Sequence, residues 1–81
     1  MKLEVRWFAS LAERVGVNSE SVEVPDGTDV AGLWRMLAER HASLAGIQYR
    51  PLAACDLTYA SWEQSLDGVT EVAFLPPLSG G

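Results

Sequence analysis

One stretch of the chain constrains what the rest can become. Val30, Leu33, Trp34, Leu37 and His41 recur at i, i+3, i+4, i+7 and i+11, which stacks them on one helical face. Thr28 or Asp29 stands where an N-cap oxygen is needed. The segments before it have a period of two instead. Leu3, Val5 and Trp7 alternate with Lys2, Glu4 and Arg6, placing the first set on the core face of a strand and Phe8 on the opposite, outward face. Glu20 to Val24 alternates again, with Val22 and Val24 inward, until the Pro25-Asp26-Gly27 turn. A single amphipathic helix among half-buried strands must lay its apolar face on their sheet, because neither layer can bury itself alone.

The remaining segments fill in that frame. Leu11 to Gly16 fits a short helix, with Leu11 and Val15 four apart and Gly16 able to take the left-handed stop conformation. After the main helix, Gly46 and Pro51 bracket a loop, and Leu52-Ala53-Ala54-Cys55 reads as a buried strand of small residues. Thr58 to Trp62 holds a short edge strand, Asp67-Gly68 marks a turn, and Glu71 to Leu75 is the last strand, stopped by Pro76. With Val72 and Phe74 toward the helix, Ala73 and Leu75 point away, so Leu75 and Phe8 are both apolar on the open face. Such a pair is either ordinary exposed surface or a docking patch. The expected architecture is an α+β roll: a mixed sheet with one main helix packed across one face. It forms a single domain over residues 1–81, of which 76–81 are an extended C-terminal tail.

Composition removes several function classes. Six basic against eleven acidic side chains give a net charge of −5, which repels phosphate backbones and anionic lipid surfaces, so no nucleic acid is expected as a partner. The acids are dispersed, reading as a solvated face or as a patch for a basic partner. No apolar run approaches the roughly 20 residues a membrane span requires. With one cysteine and a Met1-Lys2-Leu3 start that lacks a signal-type apolar stretch, a reducing, cytoplasmic setting is expected.

The usual carriers of chemistry are missing as well. Cys55 sits in an apolar strand without an adjacent Lys or Arg and reads as structural. His41 falls at the end of the main helix, where a cation favours the dipole, and the sequence offers it no visible partner for ligand or base work. Trp7, Trp34 and Trp62 sit in periodic segments and read as core packing. The serines lack a nucleophile elbow, and there is no phosphate loop, zinc spacing or EF-hand. The expectation is a chain without an active site, metal or cofactor of its own.

That leaves the carboxyl of Gly81. Gly80 and Gly81 carry no Cβ and accept backbone angles closed to other residues, so they suit a narrow channel. Pro76 and Pro77 fix φ near −65° and make a stiff strut before them. Extended, Pro76, Pro77, Leu78, Ser79, Gly80 and Gly81 reach roughly 20 Å, enough to thread a neighbouring pocket. The alternative is an ordinary frayed end. A carboxylate is a poor electrophile, so its use requires activation from outside, for instance as an acyl-adenylate.

The residues that carry a family likeness are Trp7-Phe8-Ala9, the Leu-x-Glu-x-x-Gly segment at Leu11, Glu13 and Gly16, Leu52-Ala53-Ala54, and above all Glu71 through Gly81. With them the chain resembles, over nearly its whole length, the small subunits of molybdopterin synthase, the MoaD family of ubiquitin-like β-grasp sulfur carriers. The resemblance implies that an adenylating enzyme uses ATP to activate the Gly81 carboxyl, which becomes a thiocarboxylate. The tail then enters a large subunit and donates sulfur to a cyclic pyranopterin precursor in molybdenum cofactor biosynthesis. It further implies a heterotetrameric synthase with Phe8 and Leu75 at the partner interface.

Ala12 stands where relatives often carry Arg, and Leu75 where many carry an aromatic residue. Both changes bear on partner fit. Competing readings are a carrier for thiazole or another metabolite, a ubiquitin-like protein modifier, and an interaction module with an inert tail.

Overall fold

The computed structural model describes residues 1–77, and the expectations for Leu78, Ser79, Gly80 and Gly81 lie outside the described residues. The order of elements is β1 (Lys2–Trp7), α1 (Ala9–Val15), β2 (Ser19–Glu23), α2 (Val30–Arg40), a 3₁₀ turn (Ala42–Leu44), β3 (Leu52–Cys55), β4 (Thr58–Ala60) and β5 (Glu71–Leu75).

Local chemistry sets most boundaries. Gly16 takes φ 92° and its N–H donates to Ala12 O at 2.8 Å, closing α1 in the left-handed stop that glycine accepts without a Cβ clash. Asp29, rather than Thr28, caps α2: its carboxylate accepts from the Gly32 N–H at 2.8 Å. Thr28 instead closes the preceding turn, donating its hydroxyl to Pro25 O at 2.6 Å. α2 stops before His41, whose φ of −117° is extended, so His41 lies past the helical face that its spacing suggested.

The five strands form one sheet in the order β2-β1-β5-β3-β4. β1 and β5 run parallel at its centre, and the outer pairings are antiparallel, which makes the sheet mixed. Leu3, Val5 and Trp7 from β1, with Val72 and Phe74 from β5, bury themselves against Val30, Leu33 and Leu37 of α2. The ring of Trp34 packs 5.1 Å from Phe74 and 6.1 Å from Trp7. This is the expected β-grasp arrangement, with one main helix across one face.

The tryptophans pack in the core as expected, Trp7 fully buried and Trp34 and Trp62 half-buried against it. One expectation needs correction. β3 is not buried throughout: Ala53 and Cys55 are inside, whereas Leu52 and Ala54 are only half covered, because the second face of the sheet has no layer over it. Ala73 also points to that open face, yet it is nearly buried, since it lies between Arg6 and Ala54 in register. Among the described residues, no helix is long and apolar enough to cross a membrane.

Candidate functional site

Parallel pairing decides where the tail begins. Trp7 is opposite Phe74, so the next residues on both strands, Phe8 and Leu75, leave the sheet at the same end. The Phe8 N–H donates to Phe74 O at 3.2 Å, extending the ladder by one bond. Phe8 sits at the N-cap of α1 in extended geometry and its ring is 42% exposed, a costly place for an aromatic side chain unless something covers it. Leu75 is half-buried opposite Leu52, and Pro76 and Pro77 follow directly, the second exposed. The two sequence candidates for an interface therefore stand together at the root of the tail.

The open face divides in two. On β1 and β2 it is polar: Arg6 pairs with Glu71, and Ser21 Oγ donates to Glu4 Oε1 at 3.0 Å. Toward β3 and β4 it is apolar, with Leu75, Leu52, Ala54 and the largely exposed Tyr59 in adjacent registers. A hollow of about 230 Å³ lined by Leu52, Ala53, Tyr59, Ala60 and Trp62 lies beside edge strand β4. Leu52 and Tyr59 were not among the sequence candidates. The alternation within Leu52-Ala53-Ala54-Cys55 was the available signal, hidden because all four residues are apolar.

Behind this surface lies a polar cluster that periodicity could not reveal. Glu20 on β2 accepts from Trp7 Nε1 at 2.8 Å and Arg40 Nη1 at 2.9 Å, and its Oε2 lies 2.7 Å from His41 Nε2. Burial works to raise the Glu20 pKa, but the hydrogen bonds from Trp7, Arg40 and His41 together outweigh it and hold the carboxyl below its ordinary value. The cluster ties β1, β2 and the end of α2 together and fixes the Trp7 ring, one residue before Phe8. His41 thus has a partner after all.

Arg14 is also engaged within the fold. Its Nη1 donates to Ser43 O at 3.1 Å, joining α1 to the 3₁₀ turn, while Ala12 packs against the core. Cys55 is 6% exposed; burial, with the Asp56 charge beside it, pushes its thiol pKa up, as suits a structural cysteine. Among the described residues no group of three or more His, Cys, Asp or Glu is placed to hold a metal. What the described residues assemble is a presenting surface: an apolar half-sheet at the root of a proline strut.

Known proteins resemble this chain in sequence and in fold. The model of the ThiS family matches residues 5–81. A human protein named molybdopterin synthase sulfur carrier subunit is 34% identical over 83 aligned positions, covering 99% of this chain and 94% of that one. A Caenorhabditis briggsae protein of the same name is 35% identical, covering 100% and 99%. Among solved structures, SAMP1 from Haloferax volcanii superposes with a TM-score of 0.82 at 26% identity, over the whole of both chains. A chain of the complex of subunits 1 and 2 of molybdopterin-converting factor from Helicobacter pylori gives 0.65 at 22% identity, again over both whole chains, a likeness of fold.

Proposed function

The chain belongs to the ThiS family, and from that premise we propose that it is the sulfur carrier subunit of a molybdopterin synthase, with the carboxyl of Gly81 as the group that carries sulfur. In this reading a Gly81 carboxylate oxygen attacks the α-phosphorus of ATP on an adenylating enzyme and pyrophosphate leaves. A hydrosulfide-level donor then attacks the acyl carbon, AMP departs with the oxygen, and a thiocarboxylate remains. The thiocarboxylate sulfur bonds to an oxygen-bearing carbon of the cyclic pyranopterin precursor as the C–O bond at that carbon breaks, the oxygen leaving with a proton. Water cleaves the acyl–sulfur bond, so sulfur stays on the precursor and Gly81 returns as a carboxylate.

The division of labour follows from this chain's residues. Pro76 and Pro77 aim the tail, Leu78, Ser79 and Gly80 thread it, and Phe8 and Leu75 hold the large subunit that receives it, in a heterotetramer. ATP, the adenylating site and the catalytic groups for transfer belong to the partners, and the setting is cytoplasmic. The observation that carries the proposal is the juxtaposition of exposed Phe8 with Leu75 and Pro76-Pro77 at one end of the sheet. Its test is co-purification with the large synthase subunit. Retention by the full chain, lost on Phe8→Asp, is expected; failure of the unaltered chain to bind would contradict the partner assignment.

The likeness to SAMP1 favours one second reading, since related structures bear the name small archaeal modifier protein 1. A protein modifier would form isopeptide conjugates with lysines. Higher-mass species that vanish when Gly81 is deleted would select it over the carrier.

A further inference from the structure

The tip of the β3–β4 hairpin holds a residue that neither local geometry nor burial favours. Cys55 pairs with Thr58, so Asp56 and Leu57 form a two-residue loop, and both have positive φ, 48° and 73°. Turns of this type select Gly or Asn, especially at the second position. Leu57 occupies it with a branched side chain that is 90% exposed. Asp is comparatively tolerant of left-handed backbone; Leu is not. The residue is therefore disfavoured twice, by conformation and by solvent, and gains nothing from the fold in return.

The loop is nonetheless held firmly. The Asp56 N–H donates to Glu71 O at 2.9 Å, and its carboxylate accepts from the Glu71 N–H at 2.9 Å and the Thr70 N–H at 3.2 Å. These bonds anchor the tip to the start of β5 and so hold the backbone that carries Leu57. A residue on a preorganised backbone loses less entropy on meeting a matching surface than one on a mobile loop.

Its position gives it a use. Phe8, Leu75 and Leu52 lie at the tail end of the apolar half-sheet, whereas Leu57 lies at the opposite end of β3, roughly 13 Å away at about 3.3 Å per residue. Ala54 and Tyr59 connect the two along adjacent registers. A partner gripping only Phe8 and Leu75 leaves the carrier free to pivot about the root of its tail. A second anchor at the far end fixes the direction in which the tail points.

We propose that Leu57 is a specificity-determining docking knob that seats in an apolar socket of the large subunit argued above, setting the carrier's orientation and hence the aim of its tail. The adjacent Asp56 gives the knob an acidic neighbour, so the socket is expected to be apolar at its centre and basic at its rim.

The test is to measure affinity for the purified large subunit and Tm, by calorimetry, for the full chain and for Leu57→Asn and Leu57→Gly. Both replacements suit positive φ, so Tm is expected to hold or rise. Loss of a buried leucine contact is expected to weaken binding by about tenfold or more. That opposite movement is what a structural leucine cannot produce. Binding within about twofold of the unaltered chain overturns the proposal, as does a Tm that falls together with affinity. If the unaltered chain binds and Phe8→Asp abolishes binding while Leu57→Asn does not, the Leu57 proposal alone fails. If the unaltered chain does not bind, the partner assignment fails and takes the knob with it.

Discussion

Glu20 offers the sharpest test of how this small fold is held together. Its side chain is 15% exposed and receives the Trp7 indole N–H, whose residue is 2% exposed, together with Arg40 and His41. Glu20→Ala strands the indole donor in the core and removes the charged acceptor, which costs about 2–3 kcal/mol. The Arg40 pair contributes little of this, because its guanidinium is half exposed. For a domain of this size the loss lowers Tm by on the order of 10 °C or more. Glu20→Gln keeps an acceptor oxygen for Trp7 and is expected to cost less. The sign of the pH dependence follows from the depressed carboxyl. Its contribution is fully present above the unfolded value near 4.5 and is lost as pH falls through the lower folded value. Urea unfolding followed by tryptophan fluorescence should therefore show the unaltered chain losing this increment only below about pH 4.5, and Glu20→Gln lacking it. A Tm drop under about 4 °C for Glu20→Ala, or parallel acid limbs for both proteins, would refute the reasoning.

Other substitutions separate fold from surface. Asp56→Ala removes the acceptor for the Thr70 and Glu71 amides and should cost about 1–2 kcal/mol, with those two amides exchanging hydrogen faster; unchanged exchange would contradict the clamp. The Cys55 thiol should react with iodoacetamide far more slowly in the folded chain than in urea, and equal rates would contradict its buried placement. Phe8→Asp should leave the unfolding free energy from urea titration within about 0.5 kcal/mol of the unaltered chain. A cooperative loss of folding would show that Phe8 is structural instead.

Much of the fold is written in local patterns of the sequence. The period-two run ending at Trp7, the helical stripe from Val30 to Leu37, and the stops at Gly16 and Pro76 all rest on contacts within a few residues. What stayed hidden depends on distant partners. Glu20 meets donors from positions 7, 40 and 41, and no local spacing brings these together. The Asp56-Leu57 turn was unreadable because Leu lacks the backbone preference that would announce positive φ. The all-apolar sequence of β3 masked which residues face outward, so Leu52 joined the candidate surface only once its register with Leu75 was known. Phe8 and Leu75 were legible as outward residues, but only the parallel pairing of β1 with β5 sets them side by side.

Whether the Gly81 carboxyl carries sulfur is read from the intact mass of the chain. The full chain is incubated with an adenylating enzyme that activates sulfur carriers, ATP and a sulfur source, beside a variant lacking Gly80 and Gly81. The full chain is expected to gain the mass of one oxygen-to-sulfur exchange, located by fragmentation at Gly81, and the shortened variant to gain nothing. No exchange from an enzyme that demonstrably charges another carrier under the same conditions would contradict that role for Gly81.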